Sequence, residues 1–276
     1  MNSGNIKKIK LIGNSSPESI QTLLELKSLF EKEGFGFDEI DPEIVISIGG
    51  DGTLLRAMHL HENQLNKIRF IGVHTGHLGF YTDFTNTQLD EIVETVKNED
   101  SALAIRYPLL KVEVAFQNGE IKKLFALNES TFRRSSRTLV ADVRISDFLL
   151  EKFRGDGLSV ATPTGSTAYN KSIGGAVMHP QVEAMQLAEI ASLNNRIFRT
   201  LGAPMIVGKK DKITVAPEKF EGELTDCILT VDHLAFTYEK IQSITYSLNG
   251  GSIAFANGSH LGFWERVKNS FIGEEE

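Results

Sequence analysis

Short apolar runs alternate with amphipathic segments over the first hundred residues of the chain. Glu43–Ile48 is a compact apolar run, as expected for a strand buried on both faces of a parallel sheet. Ser16 and Pro17 precede an amphipathic stretch at Ile20–Lys32, and this pair supplies the N-cap and first-turn proline that begin a helix. The same alternation predicts further strands at Lys8–Ile12 and Arg69–Val73 and further helices at Thr53–His61 and Thr87–Lys97. A layered α/β fold follows.

The pattern changes at Asn98–Pro108, after which β-prone runs predominate. Asn118-Gly119, between the first two of these runs, is a strong hairpin signal. The predicted strands are Leu110–Phe116, Ile121–Leu127, Leu139–Ile145, Phe148–Phe153, Lys212–Val215, Ile228–Val231, Ala235–Tyr238 and Ile241–Leu248. The second region is therefore predicted to be mostly β.

Two helices are predicted within or after this β-prone region. Val182–Asn194 carries apolar residues near helical spacing, and Gly262–Phe271 has the pattern of a short amphipathic helix that packs back onto the first domain. We therefore predict an α/β domain formed by residues 1–105 and 258–276, and a β-rich domain formed by residues 106–257.

Composition and charge exclude several classes of protein. The hydrophobic share of 41% and the charged share of 24% are ordinary for a globular protein. A net charge of −7 argues against general nucleic-acid binding, although it leaves room for a local site for a phosphorylated small molecule. Cys227 is the single cysteine and cannot form an internal disulfide, so a cytoplasmic setting is expected. No apolar run approaches the ~18 residues of a membrane span, and we expect no membrane partner.

A glycine-rich segment lies between the buried strand and the next predicted helix, at Gly49–Thr53 (GGDGT). Ligands bind at this edge of α/β sheets. Glycines let backbone N–H groups approach phosphate oxygens, and the helix N-terminus favours negative charge. Asp51 then faces a hydroxyl or a metal, unless the segment is a tight turn with Asp51 as a plain N-cap. The two common nucleotide-binding signatures, the phosphate loop and G-x-G-x-x-G, do not occur.

Two further segments carry candidate binding residues. Ala161–Asn170 concentrates hydroxyl groups and one aromatic, Tyr169, in a loop that can hydrogen-bond a ribose and stack a base, or can be an ordinary turn. Asn128 and Glu129 follow a predicted strand and can grip ribose hydroxyls, or can belong to a solvated turn.

A metal site is not expected from the histidines. His74 and His77 have H-x-x-H spacing, but no further ligands cluster near them in the sequence.

In this order and spacing the segments resemble the bacterial NAD kinase family, and the resemblance covers nearly the whole chain. GGDGT alone is shared with diacylglycerol-type lipid kinases and in part with phosphofructokinases, whereas TPTGSTAY and LNE belong to the NAD kinases. The motifs that carry it are GGDGT (49–53), HTGHLGF (74–80), LNE (127–129), FRGDG (153–157), TPTGSTAYNKSIGGA (162–176) and VDHLAF (231–236).

The resemblance implies transfer of the terminal phosphoryl group of ATP to the adenosine ribose 2′-hydroxyl of NAD, giving NADP. Other nucleoside triphosphates or polyphosphate are alternative donors, and a divalent ion, Mg²⁺ carried by ATP, is the implied cofactor. Asp51 matches the catalytic aspartate, the expected general base. The remaining matches are Gly50, Gly52 and Leu55 near the nucleotide, Phe80 near the adenine, Asn128 and Glu129 at the nicotinamide-side ribose, Arg154 and Asp156 in FRGDG, Thr167, Ala168, Tyr169 and Ser172 at the adenosine, Ala191 on the predicted long helix, and His233, where many relatives differ.

The family also implies an architecture: a Rossmann-like first domain, a β-rich NAD-binding domain, and a homo-oligomer that is usually a tetramer. The substrate is expected in the cleft between the domains, with Asp156 near the nicotinamide end, either in the same chain or across a subunit boundary. Two alternatives remain. A lipid or small-alcohol kinase is disfavoured because Leu55-Arg56 stands where lipid kinases usually carry Asn-Glu. A non-catalytic dinucleotide sensor is disfavoured by the intact Asp51.

Overall fold

The chain forms two compact units in the computed structural model. One comprises Met1–Arg106 with Ser252–Glu276, and the other Tyr107–Gly251. No helix in the part of the chain that the structure describes is long and apolar enough to cross a membrane. The described residues are 7–76, 78–218, 226–256 and 262–273.

The first unit is built on a seven-stranded sheet in the order β2-β1-β3-β4-β19-β6, with β5 paired to β4. The pairs of β1 with β2 and β3, and of β4 with β3, β5 and β19, are parallel. The strands are β1 (Lys8–Gly13), β2 (Gly36–Phe37), β3 (Ile44–Gly49), β4 (Arg69–His74), β5 (Phe84–Thr85), β6 (Ile105–Pro108) and β19 (Ser252–Phe255).

Four α-helices lie in the described part of this unit, and the first follows the capping signals of the sequence. The Ser16 side chain accepts a hydrogen bond from the backbone N–H of Ser19 at 3.2 Å, and Pro17 occupies the first helical position, so both predicted start signals are confirmed. The helices are α1 (Pro17–Lys32), α2 (Asp51–Leu60), α3 (Leu89–Asn98) and α5 (Phe263–Phe271).

Strand β3 lies at the centre of the first unit's core. All of its residues are buried, which confirms the prediction of a strand covered on both faces. Its isoleucines share one cluster with Leu26 and Phe30 of α1 and with Ile92 and Val96 of α3. Because both faces are packed, the strand end that carries Asp51 is held by apolar burial rather than by loop contacts alone.

The second unit contains two six-stranded sheets, in the orders β11-β10-β15-β18-β7-β8 and β14-β13-β12-β9-β16-β17. Buried side chains of both sheets form one cluster, so the sheets share a core. The strands are β7 (Leu110–Phe116), β8 (Ile121–Ala126), β9 (Glu129–Arg134), β10 (Leu139–Ile145), β11 (Phe148–Gly155), β12 (Gly157–Ala161), β13 (Ala184–Ile190), β14 (Met205–Gly208), β15 (Ile213–Pro217), β16 (Cys227–Val231), β17 (Leu234–Tyr238) and β18 (Ile241–Ser247).

The hairpin signal and the mostly β character of this unit are confirmed. Strands β7 and β8 pair antiparallel on either side of Asn118-Gly119. The one helix of this unit among the described residues is a single turn, α4 (Tyr169–Ser172), preceded by a 3-10 turn at Thr164–Thr167.

The helix predicted at Val182–Asn194 is wrong: this segment forms strand β13, paired antiparallel with β12 and β14. Residues 184–188 are buried on both faces of the sheet, so the run lacks the polar alternation that would have indicated a strand. The buried Gln186 amide pairs with the backbone of Ala176, accepting from its N–H at 2.7 Å and donating to its carbonyl at 3.0 Å. A paired polar group of this kind is tolerated in a sheet core.

Candidate active site

Asp51 is the first residue of α2, and one residue, Gly50, separates it from the carboxyl end of β3. Gly50 is the N-cap of this helix in an extended conformation, and Gly50 and Gly52 are exposed while Asp51 is half-buried. Leu55, one turn later, is buried in the unit core. The exposed glycines leave backbone N–H groups and the helix N-terminus open to an anion.

The loop after β4 holds the Asp51 carboxylate in place. The backbone N–H of Phe80 donates to Oδ2 at 2.8 Å, and that of Tyr81 donates to Oδ1 at 2.9 Å. A Cβ atom at Gly79 would lie 2.2 Å from Asp51 Oδ1, so only glycine permits this approach. Each carboxylate oxygen has two lone-pair directions, which leaves one on each oxygen for a ligand.

Arg266 of α5, which is not among the residues predicted from the sequence, lies on the other side of the same loop. Its guanidinium donates to the carbonyls of Gly79 and Phe80 at 3.1 Å and of Thr82 at 2.9 Å, and it pairs with the Asp83 carboxylate. The final helix therefore packs back onto the first unit, as predicted. The sequence did contain one signal for Arg266. It lies three residues after Phe263 and therefore on the same face of the helix, which indicates that both side chains point toward the first unit.

Phe80, expected near the adenine, lies with its ring among the aromatics of α5. The ring centroids are 6.2 Å from Phe263 and 5.8 Å from Phe271, and the latter pair is stacked. Phe80 is half-buried, so part of its ring stays accessible.

In the second unit, Asn128 and Glu129 lie where the chain enters β9, and Asp232 fixes the backbone there. The Asp232 carboxylate accepts the N–H groups of Leu127 at 2.9 Å and Asn128 at 2.7 Å, and its own N–H donates to the Glu129 carbonyl at 2.9 Å. Asp232 was not predicted as a site residue, because an aspartate in a two-residue turn is ordinary turn chemistry.

The threonine-rich segment packs directly on this backbone. The hydroxyls of Thr162 and Thr164 donate to the Leu127 carbonyl at 2.5 and 3.1 Å, and the Thr162 N–H donates to the Asn128 carbonyl at 2.8 Å. A Cβ at Gly165 would lie 2.0 Å from the Asn128 carbonyl oxygen, so this glycine is required by the close approach. LNE and TPTGST thus form one structural group.

Glu129 is 8% exposed, and its Oε2 atom has no hydrogen-bond partner among the described residues. The pKa of this carboxyl is raised to about 8, mainly by burial and further by the charge of Asp232, while a hydrogen bond from the Tyr169 N–H opposes both effects. A buried, unsatisfied carboxyl oxygen suits a ligand hydroxyl group, which would restore the missing hydrogen bond.

The remaining residues predicted at the adenosine surround the single-turn helix. Thr167 is buried, Ala168 and Tyr169 are half-buried, and Ser172 is exposed. Tyr169 carries the Arg133 guanidinium over its ring at 5.1 Å, and Arg133 also donates to its hydroxyl. His233 is exposed beside Asp232 in the turn between β16 and β17.

Arg154, Asp156 and Ala191 are not brought together with Glu129 in the same chain. Glu129 is opposite Ala161 at one end of β12, whereas Asp156 directly precedes Gly157 at the other end. Five residues of strand separate these ends by about 13 Å. Ala191 follows the end of β13 with a φ of 47° instead of lying on a helix, and the Arg154 guanidinium is 4.5 Å from the Phe198 ring centroid.

Within the described residues, no group of three or more His, Cys, Asp and Glu side chains could hold a metal ion. His77 of the H-x-x-H pair lies outside the described residues.

Comparison with known proteins identifies the family. The model of the ATP-NAD kinase N-terminal domain matches residues 12–101, and that of the C-terminal domain matches residues 127–248. The NAD kinase of Lactococcus lactis subsp. lactis is 61% identical over 270 residues, which are 98% of each chain. The NAD kinase of Streptococcus pneumoniae is 51% identical over 97% of each chain. The chain therefore belongs to the NAD kinase family.

Solved structures share the fold. Yeast NADH kinase in complex with NADH matches with a TM-score of 0.82 at 17% identity, covering 99% of this chain and 89% of that one. An NAD kinase from Archaeoglobus fulgidus in complex with ATP matches with a TM-score of 0.70 at 23% identity, covering 96% of this chain and 98% of that one.

Gly79→Ala should displace the loop from Asp51, because the new Cβ would overlap the carboxylate. We expect turnover to fall about 10²-fold, the effect of a misplacement of ~1 Å at a reacting group. Gly76→Ala is the matched control, since its Cβ would meet no atom within 4 Å. Equal turnover in the two variants, measured by steady-state kinetics, would contradict this geometry.

The stability of the protein should depend on pH through Glu129. Its pKa rises from 4.5 to about 8 on folding, so the folded state binds the extra proton between these values. The stability of the wild type relative to Glu129→Gln therefore falls as pH rises through this window, by at most about 1.4 kcal/mol per pH unit. Urea denaturation of both proteins at several pH values between these two pKa values measures the difference in their free energies of unfolding. A difference that does not change with pH would refute the raised pKa of Glu129.

Proposed function

We propose that this protein is an ATP-dependent NAD kinase that phosphorylates the adenosine ribose 2′-hydroxyl of NAD and produces NADP. The observation that carries the proposal is the Asp51 carboxylate, oriented by two backbone N–H groups at a helix N-terminus in a chain of this family. Phosphoryl transfer needs positioning and charge neutralisation more than covalent help; this arrangement supplies the positioning, and the helix N-terminus favours the negative charge of a phosphate.

In the proposed step Asp51 is the general base. The 2′-hydroxyl proton moves to a free lone pair of the Asp51 carboxylate while the hydroxyl oxygen bonds to the terminal phosphorus of ATP. The bond from that phosphorus to the bridging oxygen breaks, and ADP leaves with its electron pair. The exposed backbone N–H groups of Gly50 and Gly52 beside Asp51 can donate hydrogen bonds to phosphate oxygens at the N-terminus of α2.

The second unit supplies the residues that hold the dinucleotide in this proposal. Asn128 and Glu129 bind the nicotinamide-side ribose, and the unsatisfied Glu129 oxygen supports that role. Residues 167–169 and Ser172 bind the adenosine portion, where the half-buried Tyr169 ring offers a stacking face.

Mg²⁺ enters as part of the nucleotide substrate in this scheme. It neutralises charge on the triphosphate, and such ions are usually held by substrate phosphates together with one or two carboxylates. ATP is the proposed donor, and other nucleoside triphosphates or polyphosphate are tested beside it in the same assay.

We further propose a cytoplasmic homotetramer in which Asp156 and Ala191 act on the NAD bound by a neighbouring subunit. The distance of about 13 Å along β12 between their end of the strand and Glu129 supports this arrangement.

Asp51→Asn should lower kcat by about 10²–10⁴-fold, the usual contribution of a general base, while NAD still binds. Formation of NADP from ATP, Mg²⁺ and NAD measures turnover, and calorimetric titration measures binding. Wild-type protein that forms no NADP but phosphorylates a lipid would overturn the proposed function. Full turnover by Asp51→Asn would overturn only the general-base assignment.

Mixing Asp51→Asn and Asp156→Ala subunits tests the shared site. If Asp156 acts across a subunit boundary, a mixed oligomer contains sites with both aspartates intact, and activity should return towards about a quarter of the wild type for random pairing. Light scattering reports the oligomeric state of each preparation. No recovery in a mixed oligomer would assign Asp156 to its own subunit's site.

A further inference from the structure

We infer that Arg266 is a positioning residue for Asp51, acting through the two peptide groups that connect Gly79, Phe80 and Tyr81. The inference rests on the proposed function, because it assigns Asp51 the role of base. Arg266 does not touch the carboxylate; it fixes the loop whose N–H groups do.

Two consecutive peptide groups are each engaged at both ends. In the first, the Gly79 carbonyl accepts from Arg266 at 3.1 Å and the Phe80 N–H donates to Asp51 at 2.8 Å. In the second, the Phe80 carbonyl accepts from Arg266 at 3.1 Å and the Tyr81 N–H donates to Asp51 at 2.9 Å. A cation therefore lies at the oxygen end of both groups and an anion at the hydrogen end.

This order of charges strengthens each of the hydrogen bonds that link Arg266, the two peptide groups and Asp51. A peptide group is a rigid planar dipole, so a cation on its carbonyl polarises the N–H toward the carboxylate. Rotating either peptide plane would break one hydrogen bond to Arg266 and one to Asp51 together. The N–H groups are thus aimed at Asp51 before substrate binds, which is the preorganisation that catalysis needs.

The anchoring on the Arg266 side is buried and extensive. Arg266 is 8% exposed and also donates to the Thr82 carbonyl at 2.9 Å, while its pairing with Asp83 balances the guanidinium charge. The Thr82 hydroxyl in turn accepts the Gly79 N–H at 3.0 Å. These bonds hold the carbonyl side of the loop from the protein interior.

Lysine cannot replace this side chain. Nη1 of the guanidinium donates to all three carbonyls and Nη2 pairs with Asp83, so two nitrogens in a fixed fork serve two groups of acceptors, whereas an ammonium has a single nitrogen and cannot occupy both positions. The competing explanation is that Arg266 only neutralises Asp83. Under that explanation Asp83→Asn should impair the protein as much as loss of Arg266, whereas positioning through the carbonyls leaves Asp83→Asn active.

The test compares Arg266→Ala, Arg266→Lys and Asp83→Asn with Arg69→Ala. Arg69 is a matched control: its side chain is 11% exposed and pairs with buried Glu99 at 2.8 and 3.1 Å, at the amino end of β4 in the same unit. Both arginine losses remove a buried ion pair, so both should lower thermal stability.

We expect kcat to fall about 10²-fold in both Arg266 variants, with KM for NAD and ATP changed less than about threefold. Arg69→Ala and Asp83→Asn should keep kcat within about threefold.

Two further measurements separate positioning from folding. Millimolar guanidinium should restore part of the kcat of Arg266→Ala, because it fits the space the side chain leaves, and should do nothing for Arg69→Ala. Hydrogen exchange of the Phe80 and Tyr81 amides should rise in Arg266→Ala and stay unchanged in Arg69→Ala. Unchanged exchange together with wild-type kcat in Arg266→Lys would overturn the inference. If the wild type makes no NADP, the proposed function fails, and the exchange measurement still decides whether Arg266 holds the loop.

Discussion

The hydrogen bonds from the Phe80 and Tyr81 N–H groups to the Asp51 carboxylate are the constraint on which the proposed phosphoryl transfer depends. A carboxylate at a helix N-terminus is free to rotate unless something fixes it, and here backbone groups do so without occupying all of its lone pairs. Several features serve this arrangement: the buried β3 that ends two residues before Asp51, the missing side chain at Gly79, and Arg266 behind the loop.

The second unit contains the same pair of bonds, two backbone N–H groups donating to one carboxylate, but here the carboxylate holds the backbone in place. There the Asp232 carboxylate holds two backbone N–H groups of LNE, and threonine hydroxyls hold the Leu127 carbonyl. With its backbone fixed, Glu129 is kept buried near a like charge, and its pKa rises to about 8. Folding thus keeps a polar group unsatisfied, which is costly for stability and useful only if a ligand completes it.

Local signals predicted much of the fold. The cap at Ser16, the buried run of β3 and the Asn118-Gly119 hairpin are short-range patterns, and the structure contains each of them. The segment at 184–190 was misread because residues buried on both faces lose the alternation that separates strand from helix. Its neighbours in the sheet, β12 and β14, decide its conformation, and no window of sequence around it includes both.

The sequence by itself determined the family, the two unlike regions and the position of Asp51 between a buried strand and a helix, because each is written in residues close together along the chain. Tertiary structure alone decided which groups fix the chemistry. Arg266 lies 186 residues beyond Phe80, and Asp232 lies 104 residues beyond Asn128. Each of these side chains forms hydrogen bonds with backbone atoms, which every residue possesses. The residues they contact therefore have no recognisable pattern in the sequence, and only the folded structure identifies them.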